Sequence, residues 1–376
     1  MLKIIIDDKI PYLEGVLEPY AEVEYIPGRQ ITNHVIRNAD ALVIRTRTKC
    51  DENLLKGTPV KFIATATIGF DHIDADYCNV NNIIWTNAPG CNSSSVMQYV
   101  TTALLKLERD RQLTLKGSTI GVVGVGNVGS KVAEAAGILG MKVLLNDPPR
   151  ERREGIGRFV PIEEILSKSD VITLHVPLNM SGEDRTYHLV NDETLGMIKE
   201  GSWLINTSRG EVTDNIALKR ALNKGRLAGI VLDVWENEPD IDRELLRKVF
   251  IATPHIAGYS ADGKANGTSM SVHALSSFFN LPLTDWYPDN VPDPAQPLIA
   301  LGGDGSRVED IIAEAVFHTY RIEDDDRRLR SSPSEFERLR GNYPLRREFP
   351  FYSVKISDHT RKSTEILGKL GFRILK

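Results

Sequence analysis

The most constraining feature of the chain is a strand-like run, Thr119-Ile120-Gly121-Val122-Val123, that passes straight into Gly124-Val125-Gly126-Asn127-Val128-Gly129 and then into a helical stretch over residues 130–139. GxGxxG alone is a weak signal in a chain with 29 glycines, where chance matches arise. Between a strand and a helix it becomes specific. The first glycine permits the tight turn, the second lets the backbone reach a pyrophosphate, and the third lets helix and strand pack closely. The helix N-terminus then offers unpaired N–H groups and a partial positive charge to the phosphates. The pattern also requires a carboxylate about 20 residues on, and Asp147 lies just past the end of the next strand, 18 residues after Gly129. A carboxylate there holds the ribose hydroxyls and repels a 2′-phosphate, so NAD is expected over NADP; Arg150 is a mild counter-signal. Gly124, Gly126, Asn127, Val128, Gly129 and Asp147 are therefore the first expected cofactor contacts.

Around this site the chain reads as two series of short apolar runs. Residues 3–6, 21–26, 41–44, 60–65 and 82–86 form the first, with a helix expected over 12–17. A helix from about 94 to 115 leads into the second, at 119–123, 141–145, 171–174, 202–206, 229–232 and 249–252. Continuous β-branched runs, in place of strict alternation, mark strands covered on both faces, hence parallel sheets with helical crossovers. Beyond residue 280 the texture changes. Five prolines in residues 281–297 read as a linker or wrapping segment. A GGDG turn at 302–305 precedes a helix at 308–320, and the charged block DDDRRLR at 324–330 reads as a solvated linker face. The tail reads strand, helix, strand at 353–356, 360–370 and 372–375. The expected fold class is α/β: two doubly wound, Rossmann-like parallel-sheet domains plus a smaller α+β C-terminal domain.

Composition narrows the function classes. A length of 376 residues suggests two or three domains. A net charge of −5 argues against nucleic acid as the main partner. Nowhere does an apolar run reach the ~20 residues a membrane span needs, and the opening MLKIIIDDKI is no signal peptide. Three scattered cysteines suggest neither a disulfide framework nor a metal site. A cytoplasmic soluble protein of several domains is expected.

Three further segments follow later strands of the second series, the edge where ligands bind in such sheets. They are Asn206-Thr207-Ser208-Arg209-Gly210, Asp233-Val234-Trp235-Glu236-Asn237-Glu238-Pro239 and Thr253-Pro254-His255-Ile256-Ala257-Gly258. Hydride transfer from a hydroxyl carbon needs a base for the hydroxyl proton and a cation for a carboxylate or developing oxyanion. His255 can be that base, its proton affinity raised if Glu238 pairs with the other ring nitrogen. Arg209 can grip a carboxylate through two parallel hydrogen bonds.

The set GVGNVG, His175-Val176-Pro177-Leu178, NTSRG, DVWENEP and TPHIAG resembles the NAD-specific D-2-hydroxyacid dehydrogenase family over roughly residues 40–285. The resemblance implies that Arg209 binds the substrate carboxylate, His255 is the acid–base group and Glu238 tunes it. It gives Asp147 the adenosine ribose and places His175, Thr207, Asp233 and Gly258 at the cofactor, Asp233 at the nicotinamide amide. The loops ATATIGFDHID (64–74), NAPGCN (87–92) and HIAGYSADGKANGT (255–268) resemble one branch that acts on a phosphorylated sugar acid. That branch implies substrate contacts at Arg45, Thr46, Thr67 and Tyr259. It also implies a substrate-binding domain of residues 1–95 and 256–285, an NAD-binding domain of 96–255, and a C-terminal domain of 286–376 that makes a homodimer. Arg45-Thr46-Arg47-Thr48-Lys49 suits a phosphate, although continued strand alternation would put the cations and the threonines on opposite sides. His72, beside Asp71, reads as a structural residue. A phosphoglycerate dehydrogenase and a non-enzymatic NAD(H)-sensing protein of the same fold are the alternatives.

Overall fold

The computed structural model describes residues 1–155, 157–302, 307–356 and 361–375. It divides into two compact units, Met1–Asn92 with Ser260–Pro292, and Ser93–Tyr259 with Asp293–Lys376.

The first unit holds a five-stranded parallel sheet of β1 (Lys3–Asp7), β2 (Glu22–Ile26), β3 (Ala41–Ile44), β4 (Phe62–Thr65) and β5 (Ile84–Thr86), in the order β2-β1-β3-β4-β5. β3 and β4 are buried throughout, which is why they read as unbroken apolar runs. The strand order reverses between β1 and β3, so a crevice opens at their C-terminal ends. Asp7 ends β1 there and Arg45 follows β3. The stretch 12–17 is a set of turns, not the expected helix. Leu13 and Leu17 are buried at helical spacing, but Tyr12 (φ 64°) and Gly15 (φ 84°) take left-handed backbone that an α-helix excludes.

The second unit carries a six-stranded parallel sheet: β6 (Thr119–Val123), β7 (Lys142–Asn146), β8 (Val171–Leu174), β9 (Ser202–Asn206), β10 (Leu227–Leu232) and β11 (Ile251–Ala252), in the order β11-β10-β9-β8-β6-β7. Its reversal falls between β6 and β8, which puts the glycine turn after β6 and His175 after β8 at the same crevice. A small sheet of β12 (Leu298–Leu301), β13 (Ser353–Ile356) and β14 (Arg373–Ile374) completes the unit. Its strands pair in parallel, with the helices Val308–Thr319 and Arg361–Leu370 on the connections, as the strand, helix, strand reading of the tail expects. The expected GGDG turn falls mostly outside the described residues, as does Thr360.

Two findings differ from the sequence-based organisation. The region after Asp293 shares one apolar core with the nucleotide-binding sheet, in which Tyr99, Leu104 and Ile120 pack with Val316, Tyr320, Val354 and Phe372. The block at 324–330 is not a solvated linker. It lies in the helix Ile322–Ser331, where Asp326 accepts the Ala252 N–H at 2.7 Å and so covers the edge of β11. Arg330 in turn donates to Asp326 (2.9 Å) and to the Val249 carbonyl (2.8 Å).

Candidate active site

The glycine turn fits a dinucleotide. Gly124 takes φ +84°, and a Cβ there would lie 2.7 Å from the His175 backbone. A Cβ on Gly129 would meet the Gly124 carbonyl oxygen at 1.9 Å, so only glycine lets the helix Asn127–Ile138 start this close to β6. At Gly126 a Cβ meets nothing within 4 Å, which leaves that backbone open to a phosphate. Asp147 accepts the Val125 N–H at 2.8 Å and the Arg150 N–H at 3.0 Å, so it fixes the turn and caps the next helix. Arg150 is engaged by Glu154 and the Val125 carbonyl. His175 binds the Thr173 hydroxyl through Nε2 (2.9 Å) and the Thr207 hydroxyl through Nδ1 (3.2 Å). Burial pushes its imidazole down to about 3, so the ring at the crevice is neutral.

The three expected catalytic segments converge within the second unit. Asn206 accepts from Ser208 and donates to the Arg209 carbonyl at 2.9 Å, which shapes the turn that presents Arg209. Gly210 is indispensable here: a Cβ would lie 2.0 Å from the Trp235 carbonyl carbon. That close approach brings the Arg209 turn against the segment carrying Glu238.

Asp233, 1% exposed, organises the histidine loop. Its Oδ1 accepts from Ile256 N–H (2.8 Å) and the Thr253 hydroxyl (2.6 Å), and its Oδ2 from Ala257 N–H (2.8 Å). Its carbonyl accepts the His255 N–H at 2.7 Å. Tyr99 donates to Thr253 at 2.7 Å and Trp235 Nε1 to the Thr253 carbonyl at 3.0 Å. This network holds His255 at φ +57°, a left-handed conformation that a non-glycine residue keeps only when its surroundings impose it.

His255 Nδ1 pairs with Glu238 Oε2 at 2.8 Å. Glu238 Oε1 accepts the Trp235 N–H at 2.9 Å. Burial raises the Glu238 carboxyl, but His255, Arg340 and that N–H together hold it below the usual carboxylate range. Nε2 of His255 has no hydrogen-bond partner among the described residues, so it is available to a substrate. Gly258 and Tyr259 follow on the same loop, partly exposed.

Of the expected substrate contacts in the first unit, Arg45 forms a two-pronged pair with fully buried Asp7 (3.1 and 3.2 Å). Among the described residues its Nη1 has no hydrogen-bond partner. Thr46 is exposed. β3 ends at Ile44 and a turn follows, so strand alternation does not govern this segment. Buried Thr48 donates to the Gly28 carbonyl, and Lys49 pairs with Asp51. Thr67 donates to the Gly69 carbonyl at 2.9 Å, and Thr65 links it to His72 Nε2 at 3.0 Å.

Sequence reasoning missed the C-terminal contribution. Arg346, 4% exposed, lies within hydrogen-bond distance of the Ile256 (3.1 Å) and Ala257 (2.6 Å) carbonyls and of Ser95 Oγ (2.6 Å). Its guanidinium rests on the Tyr320 ring at 4.4 Å. No spacing rule ties an arginine 91 residues downstream to His255. A second pair, His188 Nε2 with Glu236 at 2.6 Å, also escapes the motifs; Glu236 additionally accepts the Asn215 N–H. Among the described residues no group of His, Cys, Asp or Glu is arranged to hold a metal ion, and no helix is long and apolar enough to cross a membrane.

A dinucleotide turn and an imidazole–carboxylate pair at the C-terminal edge of one sheet define a nicotinamide-dependent dehydrogenase. Residues 95–257 match the family model of the D-isomer specific 2-hydroxyacid dehydrogenase, NAD binding domain, and residues 291–371 match a domain of unknown function (DUF3410). The D-lactate dehydrogenase of Aquifex aeolicus, solved with NAD and lactic acid, superposes with a TM-score of 0.62 at 28% identity, covering 75% of this chain and 96% of that one. The chain is thus an NAD-dependent oxidoreductase of that class. An erythronate-4-phosphate dehydrogenase of Bacteroides fragilis is 52% identical over 95% of this chain and 100% of its own length. Another, from Proteus mirabilis, is 40% identical over 99% of both chains. The chain belongs to the erythronate-4-phosphate dehydrogenase family.

Proposed function

We propose that this enzyme oxidises 4-phospho-D-erythronate at C2 to (R)-3-hydroxy-2-oxo-4-phosphooxybutanoate, a step toward pyridoxal 5′-phosphate. The observation that supports it most is the His255–Glu238 pair at 2.8 Å, with Nε2 turned away from the carboxylate and unpartnered among the described residues. NAD, when bound, supplies the hydride acceptor. Gly124, Gly126, Asn127, Val128 and Gly129 hold its pyrophosphate, Asp147 its ribose, and His175, Thr207, Asp233 and Gly258 its remaining parts. Neutral His255 takes the 2-hydroxyl proton at Nε2 as the C2–H bond breaks and the carbonyl forms. Glu238 stabilises the resulting imidazolium. Arg209 holds the substrate carboxylate and the oxygen that becomes the carbonyl. Arg45, Thr46, Thr67 and Tyr259 serve the rest of the phosphorylated acid. The reading includes a substrate-binding role for the first unit, a homodimer made through residues 286–376, and a cytoplasmic location.

The test follows NADH formation with 4-phosphoerythronate and with 3-phosphoglycerate. Turnover of the first at a much higher kcat/KM is expected. Preference for the second would make the protein a phosphoglycerate dehydrogenase, and NAD binding with turnover of neither would make it a sensor. His255→Ala should cut kcat about 10²- to 10⁴-fold, the usual contribution of a general base, and leave NAD affinity intact.

A further inference from the structure

Glu238 has two basic neighbours. His255 is one; the other is Arg340, from the helix Phe336–Gly341 in the C-terminal region, whose Nη1 lies 3.9 Å from the same Oε2. Both side chains are largely buried, 15% and 18% exposed, so solvent screens the interaction far less than at a surface pair. Arg340 is held in place on several sides. Its guanidinium sits 5.9 Å from the ring centres of Tyr259 and Phe336, and Glu337 lies 3.4 Å from Nη1. Tyr343 packs edge-on against Tyr259 at 5.9 Å, and Arg346 locks the same segment to the carbonyls after His255. Phe336 is fully buried and anchors the helix. None of the motifs of the dehydrogenase reaches this segment.

We infer that Arg340 is a positioning residue that shares the Glu238 carboxylate with His255, so that the C-terminal region adjusts the acid–base pair as well as packing beside it. The inference rests on the proposed role of His255. Among the described residues, the charged and titratable groups around the pair are Arg340 and Glu337 from the C-terminal helix, Asp233 and Arg346 on the backbone of the histidine loop, Tyr259 and Tyr343, and Arg209 on the adjoining turn. Of these, Arg340 is the cation on the carboxylate itself. A positive charge there opposes the imidazolium form of His255, and Glu238 favours it. The two substitutions must therefore act in opposite directions. Removing Arg340 strengthens the hold of Glu238 on the imidazolium, so the acid limb of the kcat/KM–pH profile moves up. Removing the Glu238 charge moves it down.

The experiment compares that profile for the parent, Arg340→Gln, Arg340→Lys, Glu337→Gln, Glu238→Gln and His255→Ala, together with NAD affinity and Tm. Arg340→Gln should raise the limb by about half to one pH unit, the scale of a single nearby charge, and Arg340→Lys should restore most of the parental position. Glu337→Gln, which frees Arg340 from its other carboxylate and leaves the helix intact, should lower the limb. A merely structural role would change Tm or overall rate without ordering the limbs this way. An unmoved or lowered limb in Arg340→Gln, or an unmoved one in Glu337→Gln should Arg340→Gln not fold, overturns the inference. Turnover persisting in His255→Ala would instead overturn the proposed function beneath it.

Discussion

The charge of His175 follows from where the ring is buried. Its imidazole is pushed down to about 3 from an ordinary 6.5, with each nitrogen against a threonine hydroxyl. A base depressed on folding binds fewer protons in the native chain than in the unfolded one below its ordinary value. Its contribution to stability is therefore complete above 6.5 and lost as pH falls toward 3, at up to about 1.4 kcal/mol per pH unit. His175→Asn should make the decline in urea-unfolding stability between about pH 6.5 and pH 5 shallower by that slope. Equal slopes in parent and variant would mean that His175 charges in the native state. At this scale the motifs made Glu238, His255 and the NTSRG turn legible, because local backbone geometry demands particular residues there: glycine at 210, asparagine at 206. The network beneath them was less legible. Nothing in the spacing announces that Asp233 ties four donors to the histidine loop, or that Tyr99 supports it through Thr253.

Strand, turn and helix around residue 124 show why one element can be read closely from sequence. β6 and β8 match their apolar runs residue for residue, since a strand covered on both faces reads as one nearly unbroken buried run. The helix begins at Asn127, earlier than expected, because Gly129 is part of its first turn and not a residue before it. The two motif glycines therefore carry different costs. A methyl at 126 meets nothing, whereas one at 129 collides with the Gly124 carbonyl. Gly126→Ala should keep the parental Tm and weaken NAD binding, while Gly129→Ala should lose about 1–3 kcal/mol of stability, the range for forcing a methyl into a packed site. Thermal melts and NAD titrations of both variants check this; a parental Tm for Gly129→Ala would refute the close-packing account. The elements that misread do so for two physical reasons. Residues 12–17 have helical spacing but left-handed backbone, and the acidic-basic block at 324–330 pairs within its own helix and also reaches groups in other elements. Asp325 accepts from the Tyr320 and Tyr343 hydroxyls and Arg328, and Asp326 binds β11 and Arg330. A sequence shows such charges without showing what neutralises them.

At the scale of the molecule, the sequence divides the chain by composition, whereas folding divides it by shared core. The prolines after residue 280 mark a real change in texture, yet the chain beyond Asp293 returns to the nucleotide-binding unit and closes its core. The helix Ser93–Arg111 shows why. It is buried along most of its length, so it needs cover on the side that the six-stranded sheet leaves open. Leu104 and Tyr99 find it in Val316 and Tyr320, with Phe372 and Val354 in the same cluster. Gln98, also fully buried, donates to the Thr319 hydroxyl and the Arg347 carbonyl. Removing residues 293–376 would expose this apolar face and strand Gln98, and it would delete Arg346 from the loop that carries His255. A detachable dimerisation domain would leave a folded, NAD-binding monomer when cut away. A domain that completes the core leaves a chain that cannot bury its surface and lacks a cooperative transition. The truncated chain should therefore show exposed hydrophobic surface by ANS binding, no sharp melt and no NAD affinity. A truncated monomer with a cooperative melt and parental NAD affinity would show that the shared core is dispensable and that the C-terminal region acts only between subunits.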